Sequence, residues 1–231
     1  MKNGFSDGII DGIPIFIGYI TVAIAFGILS KNVGITMIDS ILFSVLVFAG
    51  ASQFIALNLL LLGAGVGEIV LTTLLVNFRH FLMSASLATR MTKGMKRWSP
   101  LIAFAITDEV FSVASFKKGT ITKKYILSLE FAAYTAWVSG TILGFLVGGV
   151  LPDIVKGSMG VALYAMFAAI LIPEVKKTRK AVILVCLSGI INTLCRYLFA
   201  LPQGWSIVIS IVVVSLLGVF LFDKEVTVEY E

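Results

Sequence analysis

The sequence predicts an all-α polytopic membrane protein of seven to eight helical segments, and three observations carry that reading. Of its 231 residues, 58% are apolar and 13% charged, and the mean hydropathy is +1.03. An average soluble domain carries roughly 25% charged residues, so this chain lacks the polar groups to cover a soluble surface. Apolar runs recur at about 20 residues, the length that crosses a 30 Å hydrocarbon core at 1.5 Å per residue. The basic residues cluster between those runs, so the net charge of +5 reads as cytoplasmic loops meeting anionic lipid. A disordered protein, a nucleic-acid module and an ordinary cytosolic enzyme are excluded.

Residues 12–30 make the first segment. They follow Asp7 and Asp11 rather than a basic region, so they read as a first span and not as a cleaved leader. Residues 40–67 make the second, too long for one straight span. Residues 69–89 make the third, interrupted only by Arg79 and His80. Residues 98–116 are apolar but contain Asp108 and Glu109. Then come 131–152, 157–173, 181–195 and 197–222. The loops are short, and residues 1–231 read as a single transmembrane domain whose acidic tail, 223–231, is expected to be disordered. Cys186 and Cys195 lie nine residues apart on one segment and face opposite sides of a helix, so no disulfide is expected between them.

Basic clusters occur at Arg90–Arg97, Lys117–Lys124 and Lys176–Lys180. Positive residues prefer the cytoplasm. The first two clusters agree only if segment 98–116 enters the membrane and returns; otherwise the rule is broken at one loop. With re-entry, seven crossings remain, the N-terminus is outside and the C-terminus inside. A weak internal repeat relates Phe26-Gly27-Ile28-Leu29 through Val47-Phe48-Ala49-Gly50 to Leu143-Gly144-Phe145-Leu146 through Met166-Phe167-Ala168-Ala169. With re-entry, the two halves, roughly 12–97 and 125–200, would form an inverted repeat with broken helices.

Three stretches carry chemistry. Ala49-Gly50-Ala51-Ser52-Gln53-Phe54 has the small and polar residues of a helix break, which would free backbone groups at depth to bind a small zwitterion. The same residues also suit a close helix-packing notch. In the third segment Thr73, Asn77, His80 and Ser84 share one helical stripe, with Thr72, Arg79 and Ser86 on the next. Arginine at the bilayer centre costs at least about 2.5 kcal/mol, so Arg79 requires a cavity or a carboxylate. Asp108-Glu109 is an adjacent carboxylate pair in an apolar segment, suited to holding a proton or an ammonium group, or else solvated at an interface. Glu68 and Glu130 sit near segment ends and are expected to be interfacial, and Arg196 is expected to snorkel.

Enzyme signatures are absent: there is no His-Glu-x-x-His, no Gly-x-Ser-x-Gly and no P-loop. The single histidine, His80, has no companions at zinc-site spacing, so neither metal nor cofactor is expected.

Gly50-Ala51-Ser52-Gln53-Phe54, Leu75-Val76-Asn77-Phe78-Arg79-His80 and Ala105-Ile106-Thr107-Asp108-Glu109-Val110-Phe111 together resemble the signature stretches of the AzlC family, as does Gly12-Ile13-Pro14 with Ala25-Phe26-Gly27. The resemblance is strongest over 12–112. It implies the large subunit of a bacterial branched-chain amino acid exporter, multi-pass in the inner membrane, acting with a small hydrophobic AzlD-type membrane subunit. It makes Gly50, Ser52, Gln53, Asn77, Arg79 and His80 candidate substrate-binding residues and Asp108 and Glu109 candidates for proton or ion coupling. The chemistry assigns the substrate carboxylate to Arg79 and the ammonium group or a proton to Asp108 or Glu109. Lacking a nucleotide-binding motif, such a transporter would draw on an ion gradient or on the substrate gradient. The rival readings are a channel, an exporter of another small solute, and a membrane assembly subunit that does not itself transport.

Overall fold

A computed structural model describes residues 4–91, 94–117, 119–149, 168, 171–172, 175–176 and 178–222. The expected segment 157–173 lies almost wholly outside them, as do the repeat beyond Gly149 and the tail 223–231. The described residues form nine α-helices: α1 (Phe5–Val33), α2 (Met37–Leu46), α3 (Gly50–Leu61), α4 (Val66–Ala88), α5 (Ser99–Ala105), α6 (Asp108–Phe116), α7 (Lys123–Val147), α8 (Arg179–Tyr197) and α9 (Gln203–Phe222). A single 3-10 turn, Met95–Trp98, precedes α5. The protein is an all-α polytopic membrane protein. Helices α1, α4, α7, α8 and α9 are each long and apolar enough to cross.

The chain divides into two compact units. The first is Met1–Leu57 with Val76–Leu163, and the second is Asn58–Leu75 with Tyr164–Glu231.

The first unit is built on α1 against α7. Glycines on both helices let the backbones approach closely. A Cβ on Gly8 would stand 2.0 Å from the Ser128 hydroxyl, one on Gly27 would stand 2.2 Å from the Thr141 carbonyl, and one on Gly144 would stand 2.1 Å from the Ile24 carbonyl. Such small-residue seams are how helices pack where lipid removes the hydrophobic drive. Gly8 meets Tyr125 and Ser128, Gly12 meets Ala132, Ile20 meets Gly140, and Ile28 meets Gly148. Contact positions rise together along both helices, so α1 and α7 run parallel. The stretches 26–29 and 143–146 therefore lie side by side in one direction. An inverted repeat with halves starting on α1 and α7 would need them antiparallel.

Two helical hairpins dock on this pair from opposite ends. Gly34 takes φ 88°, the left-handed cap that turns the chain out of α1 into the first hairpin. Phe43 of α2 stacks on Phe26, Phe48 at the turn meets Tyr19, and Phe54 of α3 is back against Phe26. The chain descends to the level of Tyr19, the middle residue of α1, and returns. The run 40–67 is thus a re-entrant pair with its break at Val47–Ala49, which corrects its expected status as a crossing. A returning hairpin and a crossing have the same hydropathy, so composition could not separate them.

The second hairpin is α5–α6. Trp98 lies under the Lys123 ammonium at the start of α7, and Phe104 meets Tyr134. Thr107 reaches Tyr19, and Lys117 is back at Asp11 near the start of α1, 2.8 Å away. The two helices are bent by 115°. At 1.5 Å per residue so bent a pair reaches only about 13 Å, short of a 30 Å core, so 98–116 enters and returns. One full-length helix, α4, then separates the parallel α1 and α7. The N-terminus shares a side with the basic clusters at 90–97 and 117–124. The expected outside N-terminus would place both clusters outside with it, against the preference of positive residues for the cytoplasm.

In the second unit α8 and α9 are antiparallel, with Gly218 against Leu184. The Glu68 carboxylate accepts from the Gly204 amide at 2.6 Å and the Trp205 amide at 3.2 Å, capping the start of α9. A cavity of about 390 Å³ opens beside it, lined by Leu59, Leu62, Glu68, Arg196, Leu201 and Pro202. Cys186 and Cys195 are both free thiols.

Two measurements check this architecture. Single cysteines at Ser6, Thr89 and Thr120, with Cys186 and Cys195 replaced by serine, should label with an impermeant reagent from one side and Asn32→Cys from the other. Gly144→Leu should separate α1 from α7 and lower stability by about 1–3 kcal/mol or more, read as a lower melting temperature in detergent.

Candidate functional site

The two hairpin turns meet at Tyr19. Its hydroxyl hydrogen-bonds the Thr107 hydroxyl at 2.7 Å and donates to the Glu109 carboxylate. Its ring packs edge-on against Phe48 of the first turn and Trp137 of α7. Thr107 is the N-cap of α6 and accepts from the Val110 amide. Asp108 and Glu109 therefore sit in the first turn of a half-length helix whose positive end faces the centre of the unit. Arg79 reaches in from α4 and pairs with Asp108 at 3.0 Å, the two side chains 37% and 34% exposed. Its Nε–H is buried without a partner, as is Oδ1 of Asn77 two residues earlier. A guanidinium offers five donors in a planar fork, so Arg79 keeps capacity for a carboxylate beyond Asp108.

The structure thus joins Arg79, Asp108 and Glu109, and adds Tyr19 and Thr107, which the sequence reading did not single out. Tyrosine is usually an interfacial anchor, so its place in the first run was unremarked. Its position at the middle of that run was the available signal, because a buried phenol hydroxyl needs a partner. Asn77 and His80 flank Arg79 on α4, both half-buried, and the His80 carbonyl accepts from Ser84.

The structure places Gly50, Ser52 and Gln53 at the break of the first hairpin, engaged with backbone and with Trp137. Gln53 is 0% exposed. Its amide nitrogen donates to the carbonyls of Phe43 at 2.8 Å and Val47 at 2.5 Å. Its oxygen accepts the Trp137 indole N–H at 2.8 Å. One side chain thereby satisfies the end of α2, holds α3 beside it and ties both to α7. Ser52 bonds the Ala49 carbonyl at 2.9 Å. Gly50 lies under the Trp137 ring, where a Cβ would come within 2.5 Å. Each is engaged in closing the first hairpin. Arg90 serves the second in the same way. Its guanidinium donates to the carbonyls of Ser115 at 2.6 Å, Gly119 at 3.2 Å, and Lys117. Backbone groups freed by a break must be met inside the protein, and these side chains meet them.

Glu130 departs furthest from expectation. It was expected at an interface, yet it is 2% exposed in α7 and neither carboxyl oxygen has a hydrogen-bond partner. Its nearness to a run end gave no sign of this burial; the contacts of the second hairpin with α7 fall on either side of it, at Lys123 and Tyr134.

Replacing Gln53 by leucine tests the clasp. It leaves the buried Trp137 N–H without an acceptor, a loss of about 1–3 kcal/mol, so melting in detergent should occur at lower temperature. Gln53→Glu, which keeps the acceptor but removes the donors to Phe43 and Val47, should also destabilise.

The sequence profile described as AzlC protein matches residues 14–151. An Escherichia coli relative, inner membrane protein YgaZ, is 31% identical over 206 residues, covering 86% of this chain and 83% of the relative. An uncharacterized membrane protein of Archaeoglobus fulgidus is 33% identical over 174 residues, 74% of this chain and 76% of its own. A Bacillus subtilis relative, branched-chain amino acid transport protein AzlC, is 28% identical over 175 residues, 73% of this chain and 66% of its own. No solved structure matches. The matched profile covers more than half of the chain, including most of α1, both hairpins, α4 and α7, and the likeness to the E. coli relative covers 86% of it: the chain belongs to the AzlC family.

Proposed function

We propose that this protein is a secondary transporter of the bacterial inner membrane that exports branched-chain amino acids, acting as the large subunit with a small hydrophobic AzlD-type partner. The observation that carries the reading is the meeting of two half-length hairpins at Tyr19, with the Arg79–Asp108 pair and Glu109 beside the turn. Broken helices at depth holding charges of both signs suit a zwitterion. The name of the B. subtilis relative, branched-chain amino acid transport protein AzlC, supports the substrate class.

In this reading the substrate carboxylate takes the open donors of Arg79, bidentate where the geometry allows. The ammonium group takes Asp108 or Glu109. A branched aliphatic side chain packs against Phe48, Phe104 and Tyr134, whose rings adjoin the turns. The sequence carries no nucleotide-binding motif, so the energy source is an ion gradient or the substrate's own gradient.

Counterflow of labelled leucine, isoleucine and valine in liposomes tests the reading, with and without the small partner. Saturable exchange supports it. Non-saturating flux, or none with the partner present, overturns it. The Arg79 series then separates the roles. Arg79→Lys keeps the charge and loses the planar fork. If Arg79 binds the carboxylate, losing one charged hydrogen bond worth about 1.5–3 kcal/mol lowers flux by roughly ten- to a hundredfold while the protein still inserts. If Arg79 only neutralises Asp108, lysine is tolerated, and Arg79→Gln is partly rescued by Asp108→Asn. Wild-type flux and stability in Arg79→Gln would remove both roles.

A further inference from the structure

Glu130 belongs to a stripe on α7 with Tyr134, Trp137 and Thr141, spaced four, three and four residues apart. Each of the other three ties the first hairpin to α7. Tyr134 donates to the Val45 carbonyl at 2.9 Å, Trp137 donates to Gln53, and Thr141 shares a hydrogen bond with Ser44 at 2.7 Å. Glu130 lies one turn nearer the start of α7, in the stretch flanked by the Trp98–Lys123 and Phe104–Tyr134 contacts of the second hairpin. Its neighbours along the same face, Ile126 and Ala133, are fully buried, as is Ile102 of α5.

Among the described residues no side chain hydrogen-bonds or pairs with Glu130, and the charged groups around it are engaged elsewhere or exposed. On α7 itself Lys123 lies over Trp98 and Lys124 is exposed, as is Arg97 in the turn before α5. The elements packed on α7 include α1, α2, α5 and α6, together with α3 through Gln53, and α3 carries no charged residue. On α1, Asp7 accepts from Gly4, Asp11 is held by Lys117 and Tyr125, and Lys31 donates to the Phe145 carbonyl. Tyr19 is engaged by Thr107 and Glu109. On α2, Asp39 is bonded to Thr36. Helix α5 carries no charged residue. On α6, Asp108 is held by Arg79 and Glu109 by Tyr19. A carboxylate ion stripped of water and of every donor costs far more than the neutral acid.

We propose that Glu130 is a proton-binding site of the first unit, loaded as the neutral acid in this conformation, and that the proton leaves only when the second hairpin moves off α7 and admits water. Release transfers the proton from the carboxyl oxygen to that water and leaves a solvated carboxylate. The same hairpin carries Thr107, Asp108 and Glu109 at its turn. Its movement therefore breaks the contacts with Tyr19 and Arg79, and proton release and opening of the zwitterion site become one event. The link to transport rests on the function proposed above. The proton site itself does not.

Glu130→Gln keeps the shape and removes the proton. Two measurements decide the proposal, with melting temperature in detergent confirming that the variant folds. In infrared spectra at neutral pH, wild type should show a protonated-carboxyl band that the variant lacks. In liposomes containing the small partner, a pH gradient should drive leucine accumulation by wild type, and the variant should lose it. An unchanged infrared band overturns the proton site. Undiminished pH-driven accumulation by the variant, or driving by sodium in place of protons, overturns the coupling. If wild type shows no leucine counterflow at all, the transport reading fails and the infrared band alone decides the proton site.

Discussion

Everything in the first unit hangs on the parallel contact between α1 and α7. Glycines at 8, 12, 27, 140 and 144 replace side chains with backbone contact, and the two helices become one wall. Short helices of 7 to 12 residues cannot span a bilayer alone. They are stable at depth only where their open ends find partners in protein. The wall supplies those partners through Trp137, Tyr134 and Thr141 on one side, and through Asp11, Tyr125 and Tyr19 on the other.

Two kinds of polar residue follow from that arrangement. Gln53, Ser52 and Thr107 meet backbone groups that the breaks release, and Arg90 meets those where the second hairpin ends. Arg79, Asp108, Glu109 and Tyr19 meet one another across separate elements and stay partly open. The first kind has its hydrogen-bonding capacity largely filled, as in the three hydrogen bonds of Gln53. The second kind retains some, as in the buried Nε–H of Arg79. Spare capacity separates the candidate site from the joints better than residue type does, since both kinds include an arginine.

Much of this was legible in the sequence, for identifiable reasons. A mid-run arginine demands a counter-charge, which pointed to Arg79 and to Asp108 as an available acid. Small residues at 49–52 marked a break, because a helix restarting at depth needs close contact with its neighbour. Segment 98–116 could be read as re-entrant because basic clusters flank it on both sides. The first hairpin lacks such flanking basic clusters, so its length and its small residues marked a break without showing that the chain turns back there. The roles of Tyr19 and Glu130 depend on which helices come to lie over them. That is a property of the parallel pairing, and repeat-like similarity had suggested the opposite orientation.

The Gln53–Trp137 bond joins residues 84 positions apart, and the bond from Ser44 to Thr141 joins residues 97 apart. A chain emerging from the ribosome makes the first hairpin long before its partners on α7 exist. Until then neither of its helices, 10 and 12 residues long, spans alone, and the carbonyls at its turn have no wall to rest against. The first hairpin can therefore reach its final docking only after residue 141 has been synthesised, behind the helix that follows it in the chain. A chain arrested between those points would carry two apolar half-helices with nowhere to dock, the kind of exposed segment that membrane quality-control proteases remove.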